Sequence, residues 1–170
     1  MKVVGIDPGT KQIGYAVLEG DPRAIKSMRA ETIMIPRCDS NAARLLLLER
    51  SLAQRLKRDR PDVVAIEKLF FAKNAKTAIA VAEARGIILL TAERIVHNIW
   101  ECAPSEVKMA VSGYGRADKE HVRRAILATL PRALVASVMK TDKIIKLGDD
   151  AMDAIAIALT AIYARKQHVE

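Results

Sequence analysis

Apolar residues come in short runs at the start of the chain and at helical spacing further on. Lys2 to Ile6 is a brief apolar run that stops at Asp7-Pro8-Gly9-Thr10, and Ile13 to Leu18 resumes with residues that suit a strand, so the two predict a hairpin. A third strand is expected between Ile25 and Ile35. After it, Asp39 or Ser40 caps a helix in which Leu45, Leu48, Leu52 and Leu56 recur at helical spacing, with Arg44, Arg50, Arg55 and Lys57 on its other face. Pro61 ends that helix. Val63-Val64-Ala65-Ile66 then reads as a strand buried on both faces, with Glu67 at its carboxyl end, and strand–helix–strand order implies a parallel pairing.

Asn74 starts a long Ala-rich helix through Ala92, and Ile95 to Cys102 reads as the next strand. Two shorter helices are expected around Ser105 to Val111 and Asp118 to Leu130, separated by the flexible basic loop Ser112-Gly113-Tyr114-Gly115-Arg116. A last helix opens near Asp149 or Asp150 and carries Ala151, Ile155, Leu159 and Ile162 on to Arg165. Antiparallel strands followed by alternating strand and helix make an α/β fold: a mixed five-stranded sheet flanked by helices.

Composition adds the scale and the partner. The 170 residues are 51% hydrophobic, enough for one domain with its own core, and no Pro-rich or Ser/Gly-rich stretch offers a linker. With 28 Lys plus Arg against 20 acidic residues, the net charge of +8 favours a polyanionic partner such as nucleic acid. Cys38 and Cys102 lie in unrelated contexts, which supports neither a disulfide framework nor a Cys-based zinc site and leaves a reducing cytoplasm as the expected compartment. The N-terminus has no signal-peptide pattern, and Ala78 to Ala92, the most apolar later stretch, carries Glu83 and Arg85, so no membrane span is expected.

Four acids stand out in this basic chain. Asp7 ends a strand in a tight turn where Gly9 leaves room for a phosphate or metal, although an Asp that merely starts a turn would look the same. Glu67 follows four buried apolar residues and must meet a cation or reach solvent. Asp150 and Asp153 are three apart on a helix and share a face, and Asp149 with Asp153 satisfies the same rule. Acidic residues are also ordinary in a first helical turn, which accounts for at least one of these three. Two carboxylates about 4 Å apart repel by roughly 4 kcal/mol at an effective dielectric near 20, so a cluster of four calls for counter-charge. Magnesium or manganese suits oxygen ligands, and two such ions about 4 Å apart can activate water and stabilise a leaving oxygen in phosphodiester hydrolysis.

Lys68, Lys73 and Lys76 follow Glu67, and Lys108, Arg116, Lys119, Arg123 and Arg124 surround the glycine-containing loop. Most such charges are solvated helix faces, but Arg116 and Lys119 follow two glycines and open a helix, a combination able to hold a phosphate backbone. Phe70 and Phe71 alternate sides of an extended segment, one toward the core and one free for base stacking, in a chain only 4% aromatic. Gly113-x-Gly115-x-x-Asp118 follows a helix and lacks a third glycine, so it is no dinucleotide fingerprint, and His97, His121 and His168 show no ligand spacing.

Four ordered blocks carry a family resemblance: Gly5 to Val17 (GIDPGTKQIGYAV), Ala65 to Leu90 (AIEKLFFAKNAKTAIAVAEARGIILL), Val107 to Val122 (VKMAVSGYGRADKEHV) and Asp150 to Ala158 (DAMDAIAIA). Over nearly its whole length the chain resembles RuvC-type Holliday junction resolvases. The resemblance implies a ribonuclease H-like fold, a magnesium-dependent endonuclease, and a homodimer that cuts two opposed strands of a four-way DNA junction, working with a branch-migration helicase. Matched motif to motif, it implies Asp7, Glu67, Asp150 and Asp153 as catalytic acids, which leaves Asp149 as a helix cap. It also implies Phe70 as the junction-contacting aromatic, Lys108 and Lys119 as the basic residues near the cleaved strand, and Asn74 to Leu90 as the dimerisation helix. Tyr114 and Ala82 depart from the usual residues of relatives. The first block also resembles YqgF-type proteins, which lack the Glu67-Lys68-Leu69-Phe70 block, and the Asp-x-Gly-Thr turn of actin-like ATPases, which need a second domain. A junction-binding protein without catalysis is the rival of another class, and four retained anions facing phosphate argue against it.

Overall fold

Strand alternation decides which side of the sheet each residue serves. The computed structural model describes residues 1–68, 75–140 and 148–164. Strands β1 (Lys2–Asp7), β2 (Gln12–Asp21) and β3 (Ala24–Met34) form an antiparallel meander, and β4 (Val63–Glu67) and β5 (Ile99–Cys102) extend it in parallel, giving the spatial order β3-β2-β1-β4-β5. Val4, Ile6, Ile13, Tyr15, Val64 and Ile66 point to one face, where helices α1 (Asn41–Asp59) and α2 (Ala75–Ile95) cover them with Leu48, Leu52, Leu56, Ala84, Ile88 and Ala92. Val3, Ala16, Leu18 and Ala65 point to the other, beneath α6 (Asp149–Ala164). The strands β1, β2 and β4 are thus buried on both sides, while the edge strand β3 stays largely exposed.

Helix α6 is apolar on nearly every side because it lies between the sheet and helices α3 (Pro104–Ser112) and α4 (Lys119–Thr129). Its approach to the sheet is unusually close. A Cβ at Gly5 would collide with the backbone oxygen of Ala154, and one at Gly14 with the backbone oxygen of Asp150. Gly14 is paired with Asp7 in the β1–β2 ladder, so the absent side chain lets the first turn of α6 settle beside the end of β1.

Several elements differ from the pattern-based expectation. Strand β4 pairs in parallel as expected, but its partners are β1 and β5 and not the preceding strand β3, because β3 is the edge strand and α1 carries the chain across the sheet. Strand β5 begins only at Ile99: Ile95 closes α2, whose apolar periodicity runs on past Ala92, and His97 has a positive φ of 56° before the strand. A helix α5 (Arg132–Lys140) stands where none was expected. On the outer face of α1, Arg44 Nη1 donates to the Thr10 carbonyl at 2.7 Å, and Arg55 Nη2 pairs with Glu31 at 2.8 Å. Ser40, not Asp39, caps α1 by accepting from the Ala43 N–H. Phe70, Phe71, Lys73 and Asn74, and the expected end of the last helix at Arg165, lie outside the described residues.

One buried acid is structural. Tyr15 Oη donates to Asp59 at 2.8 Å, and Arg29 and Arg58 reach the same carboxylate at 2.6 and 2.9 Å. Burial alone would raise the Asp59 pKa, but these bonds hold it at about 2 and tie the end of α1 to β2 and β3.

Candidate active site

Asp7 and Glu67 become neighbours through the parallel ladder. Val3 pairs with Val63 and Ile6 with Ile66, so the next residues along, Asp7 and Glu67, stand side by side at the carboxyl ends of β1 and β4. Both continue the alternation of Gly5 and Ala65, which puts their side chains on the α6 face. Helix α6 brings Asp153 near enough to raise both carboxyls of this pair, and Asp150 near enough to raise Asp7.

The electrostatics show the convergence. The Asp7 carboxyl is pushed up to about 8, first by burial, then by Asp153, Glu67 and Asp150, with Lys119 opposing. Glu67 rises to about 7 through burial and Asp153, with Lys108 and Lys119 working against the shift. Asp153 is raised as well, by burial before anything else, although Lys119 lies 3.6 Å from its Oδ2. Lys119 is raised in turn, by Asp153 most of all and then by Asp149 and Asp7, with burial opposing. Cys102, across the ladder from Glu67, is pushed up to about 12 by burial and by that carboxylate, so it is an inert thiol.

Of the basic residues expected here, Lys108, Lys119 and Arg116 have definite positions. Lys108 on α3 and Lys119 at the start of α4 line a cleft of about 230 Å³ together with Glu67 and Asp153. Asp118 caps α4 by accepting from the His121 N–H at 2.7 Å, which fixes Lys119 as the first helical residue. Lys119 also borders a groove of about 650 Å³ that runs past Gln12, Thr32, Asp149 and Asp150. Arg116 is exposed in the loop between α3 and α4. Phe70 lies outside the described residues.

Two residues take parts that the sequence reading did not assign. Gln12 Nε2 donates to Asp150 Oδ2, holding one oxygen of that carboxylate. Asp149 is the first residue of α6, not its cap: the first turn closes on the Gly148 carbonyl, and the Asp149 carboxylate faces Lys119 at 3.8 Å. A β-strand position opening with an amide opposite a helical acid leaves no mark in sequence, so the role of Gln12 emerges only once the chain is folded.

The donor set is one of hard oxygens under mutual repulsion, which fits a divalent cation that prefers oxygen ligands. Among the described residues no three carboxylates, imidazoles or thiols already surround one point closely enough to hold an ion. Lys119 supplies part of the neutralising charge.

Residues 3–161 match the family described as crossover junction endodeoxyribonuclease RuvC. The chain belongs to that family. A curated RuvC from Thermomicrobium roseum is 38% identical over 173 aligned residues, covering all of this chain and 98% of the relative. The Caldicellulosiruptor saccharolyticus RuvC is 39% identical, covering 95% of this chain and 92% of that protein. Among solved structures, Thermus thermophilus RuvC in complex with a Holliday junction substrate aligns with a TM-score of 0.79 at 29% identity, covering 98% of this chain and 96% of that one. The yeast mitochondrial resolvase Ydc2 shares the fold, with a TM-score of 0.69 at 13% identity, covering 98% of this chain and 80% of that one. The chain is therefore an endodeoxyribonuclease of the RuvC family, whose nucleases are metal-dependent, built on the ribonuclease H-like α/β fold. No helix among its described residues is long and apolar enough to cross a membrane.

Proposed function

We propose that the chain, acting as one nuclease domain, resolves four-way DNA junctions by nicking two opposed strands, with Asp7, Glu67, Asp150 and Asp153 as its catalytic and metal-holding residues. The observation that carries this reading is the mutual electrostatic coupling of Asp7, Glu67 and Asp153 at one sheet end, beside two lysines, in a chain of net charge +8. Carboxylates this repelled are costly to keep unless they serve a cation.

Asp7, at the centre of the cluster, would hold two ions jointly, and Glu67, Asp150 and Asp153 would complete their ligation. Magnesium, or manganese in its place, would lower the pKa of a water and stabilise the charge of the leaving oxygen. Lys119 neutralises the cluster and would stand against the scissile phosphate, while Lys108 and Arg116 would hold the flanking backbone. Phe70 would contact the junction centre. Gln12 keeps one Asp150 oxygen engaged and so fixes the direction of the other.

A second copy would supply the second cut. Helix α2 supports that role, because Ile79 and Leu90 are 73% and 53% exposed on it, large apolar side chains that a partner helix would cover. Work in the cytoplasm alongside a branch-migration helicase completes the reading.

The test is incubation of the wild type and Asp7→Asn with a four-way junction and a matched duplex, with magnesium and with chelator. Wild type should cut the junction symmetrically in magnesium and leave the duplex intact, and Asp7→Asn should bind without cutting. A wild type that binds tightly and never cuts would mark a junction-binding module instead. Equal cutting by Asp7→Asn would overturn the residue assignment.

A further inference from the structure

The Glu67 side chain enters the acid cluster, but its backbone is held from the opposite side of the sheet. The ladder gives it little support there: β1 ends at Asp7, and the residue that follows is Pro8, which has no N–H to offer a neighbouring strand. The Glu67 carbonyl instead accepts from Arg85 Nε of α2 at 3.2 Å. The Nη2 of that guanidinium pairs with Glu101 of β5, and Glu101 stands beside Ile66 in the β4–β5 ladder. Lys68 N–H, one residue on, donates to the Cys102 carbonyl at 2.8 Å.

Arg85 therefore joins three elements at one point. Its side chain is only 17% exposed, and its planar fork makes two directed bonds at once, one to a peptide and one to a carboxylate. Among the described contacts its partners are the last residue of β4 and a residue of β5, neither of which belongs to the helix that carries it.

We infer that Arg85 is a positioning residue of the nuclease: by clamping the Glu67 peptide from α2, with Glu101 orienting its guanidinium, it fixes the direction in which the Glu67 carboxylate enters the site. The inference rests on the proposed role of Glu67. A carboxylate on a strand terminus otherwise swings with its peptide, and a ligand that must be ordered on binding holds its ion less tightly.

The test uses full-length Arg85→Ala, Glu101→Gln and Glu67→Gln. Single-turnover junction cleavage is followed against magnesium concentration, manganese binding by calorimetry, junction affinity in chelator, and melting temperature. Arg85→Ala should raise the magnesium concentration for half-maximal cleavage about tenfold and weaken manganese binding by a similar factor, with junction affinity within about twofold of wild type. A purely structural role would lower the melting temperature and the active fraction while leaving both metal midpoints unmoved, and that result overturns the inference. Weakened junction affinity with unmoved metal midpoints overturns it too, by assigning Arg85 to DNA binding.

Should Arg85→Ala not fold, Glu101→Gln decides, since it keeps the bond to the Glu67 carbonyl and removes only the orienting charge. A smaller shift in the same direction supports the inference, and no shift refutes it. Cutting by Glu67→Gln at the wild-type rate would instead refute the site itself. An inactive Glu67→Gln beside an Arg85→Ala with wild-type metal midpoints refutes the Arg85 role alone.

Discussion

Removing the charge of Asp7 should make the metal-free protein more stable while destroying its activity. The Asp7 carboxyl has its pKa raised from 3.8 to about 8 by burial and by Asp153, Glu67 and Asp150. A raised acid stabilises the fold fully below its unfolded value and loses that contribution as pH rises through the folded value. Between 3.8 and pH 7.5 lie nearly four pH units at about 1.4 kcal/mol each, so ionisation of the unfolded chain costs the fold about 5 kcal/mol at most. Water entry and relaxation of the open cleft bring this to about 2 kcal/mol, which in a chain of this size shifts the melting temperature by about 4–8 °C. Asp7→Asn is neutral at every pH and should melt that much higher than wild type at pH 7.5 in chelator. At pH 5 the gap should shrink toward zero, and magnesium should raise the wild type but not the variant. Thermal denaturation followed by circular dichroism at both pH values, with and without magnesium, measures this. An Asp7→Asn protein that melts at or below the wild-type temperature in chelator at pH 7.5, or a gap equal at the two pH values, would refute the reasoning.

Three further perturbations separate framework from chemistry. Gly14→Ala places a methyl against the Asp150 backbone oxygen, so it should lift the first turn of α6, destabilise the fold by about 1–3 kcal/mol and abolish cleavage; near-normal cleavage would show that the close approach is dispensable. Lys119→Met removes the cation nearest Asp153 and should slow single-turnover cleavage about 10²–10³-fold while junction binding changes far less, whereas an equal loss in both would make Lys119 only a DNA contact. Tyr15→Phe deletes the hydroxyl that donates to buried Asp59 and should cost about 1 kcal/mol in denaturant unfolding with cleavage intact; lost activity would tie that network to the site.

The recognition of strands and long helices needed little beyond periodicity, because β1, β4, α1 and α6 bury continuous or regularly spaced apolar side chains, and burial is what the pattern records. Boundaries were less legible where apolar character continued across a change of structure, as from Ile95 at the end of α2 to Ile99 at the start of β5. Asp149 and Asp150 could not be told apart from helical spacing, since both share a face with Asp153 to similar degree. The resemblance favoured Asp150, and the structure separates them by neighbour: Asp150 meets Gln12, and Asp149 meets Lys119.

The sequence by itself determined the classes of element, the basic balance and the residue types able to hold a hard cation, because each depends on local spacing or on composition. Only the tertiary structure decided which distant residues share an environment. Asp7 and Glu67 are 60 positions apart and meet because β4 pairs with β1 in register, and α6 reaches them because Gly5 and Gly14 present no side chain. Gln12 and Arg85 carry no signal of their own, since an ordinary amide and an ordinary helical arginine acquire a role only from what folding sets opposite them. Pairing between strands and helix-to-sheet distance are non-local, and so is the raised pKa of Asp7 that follows from them.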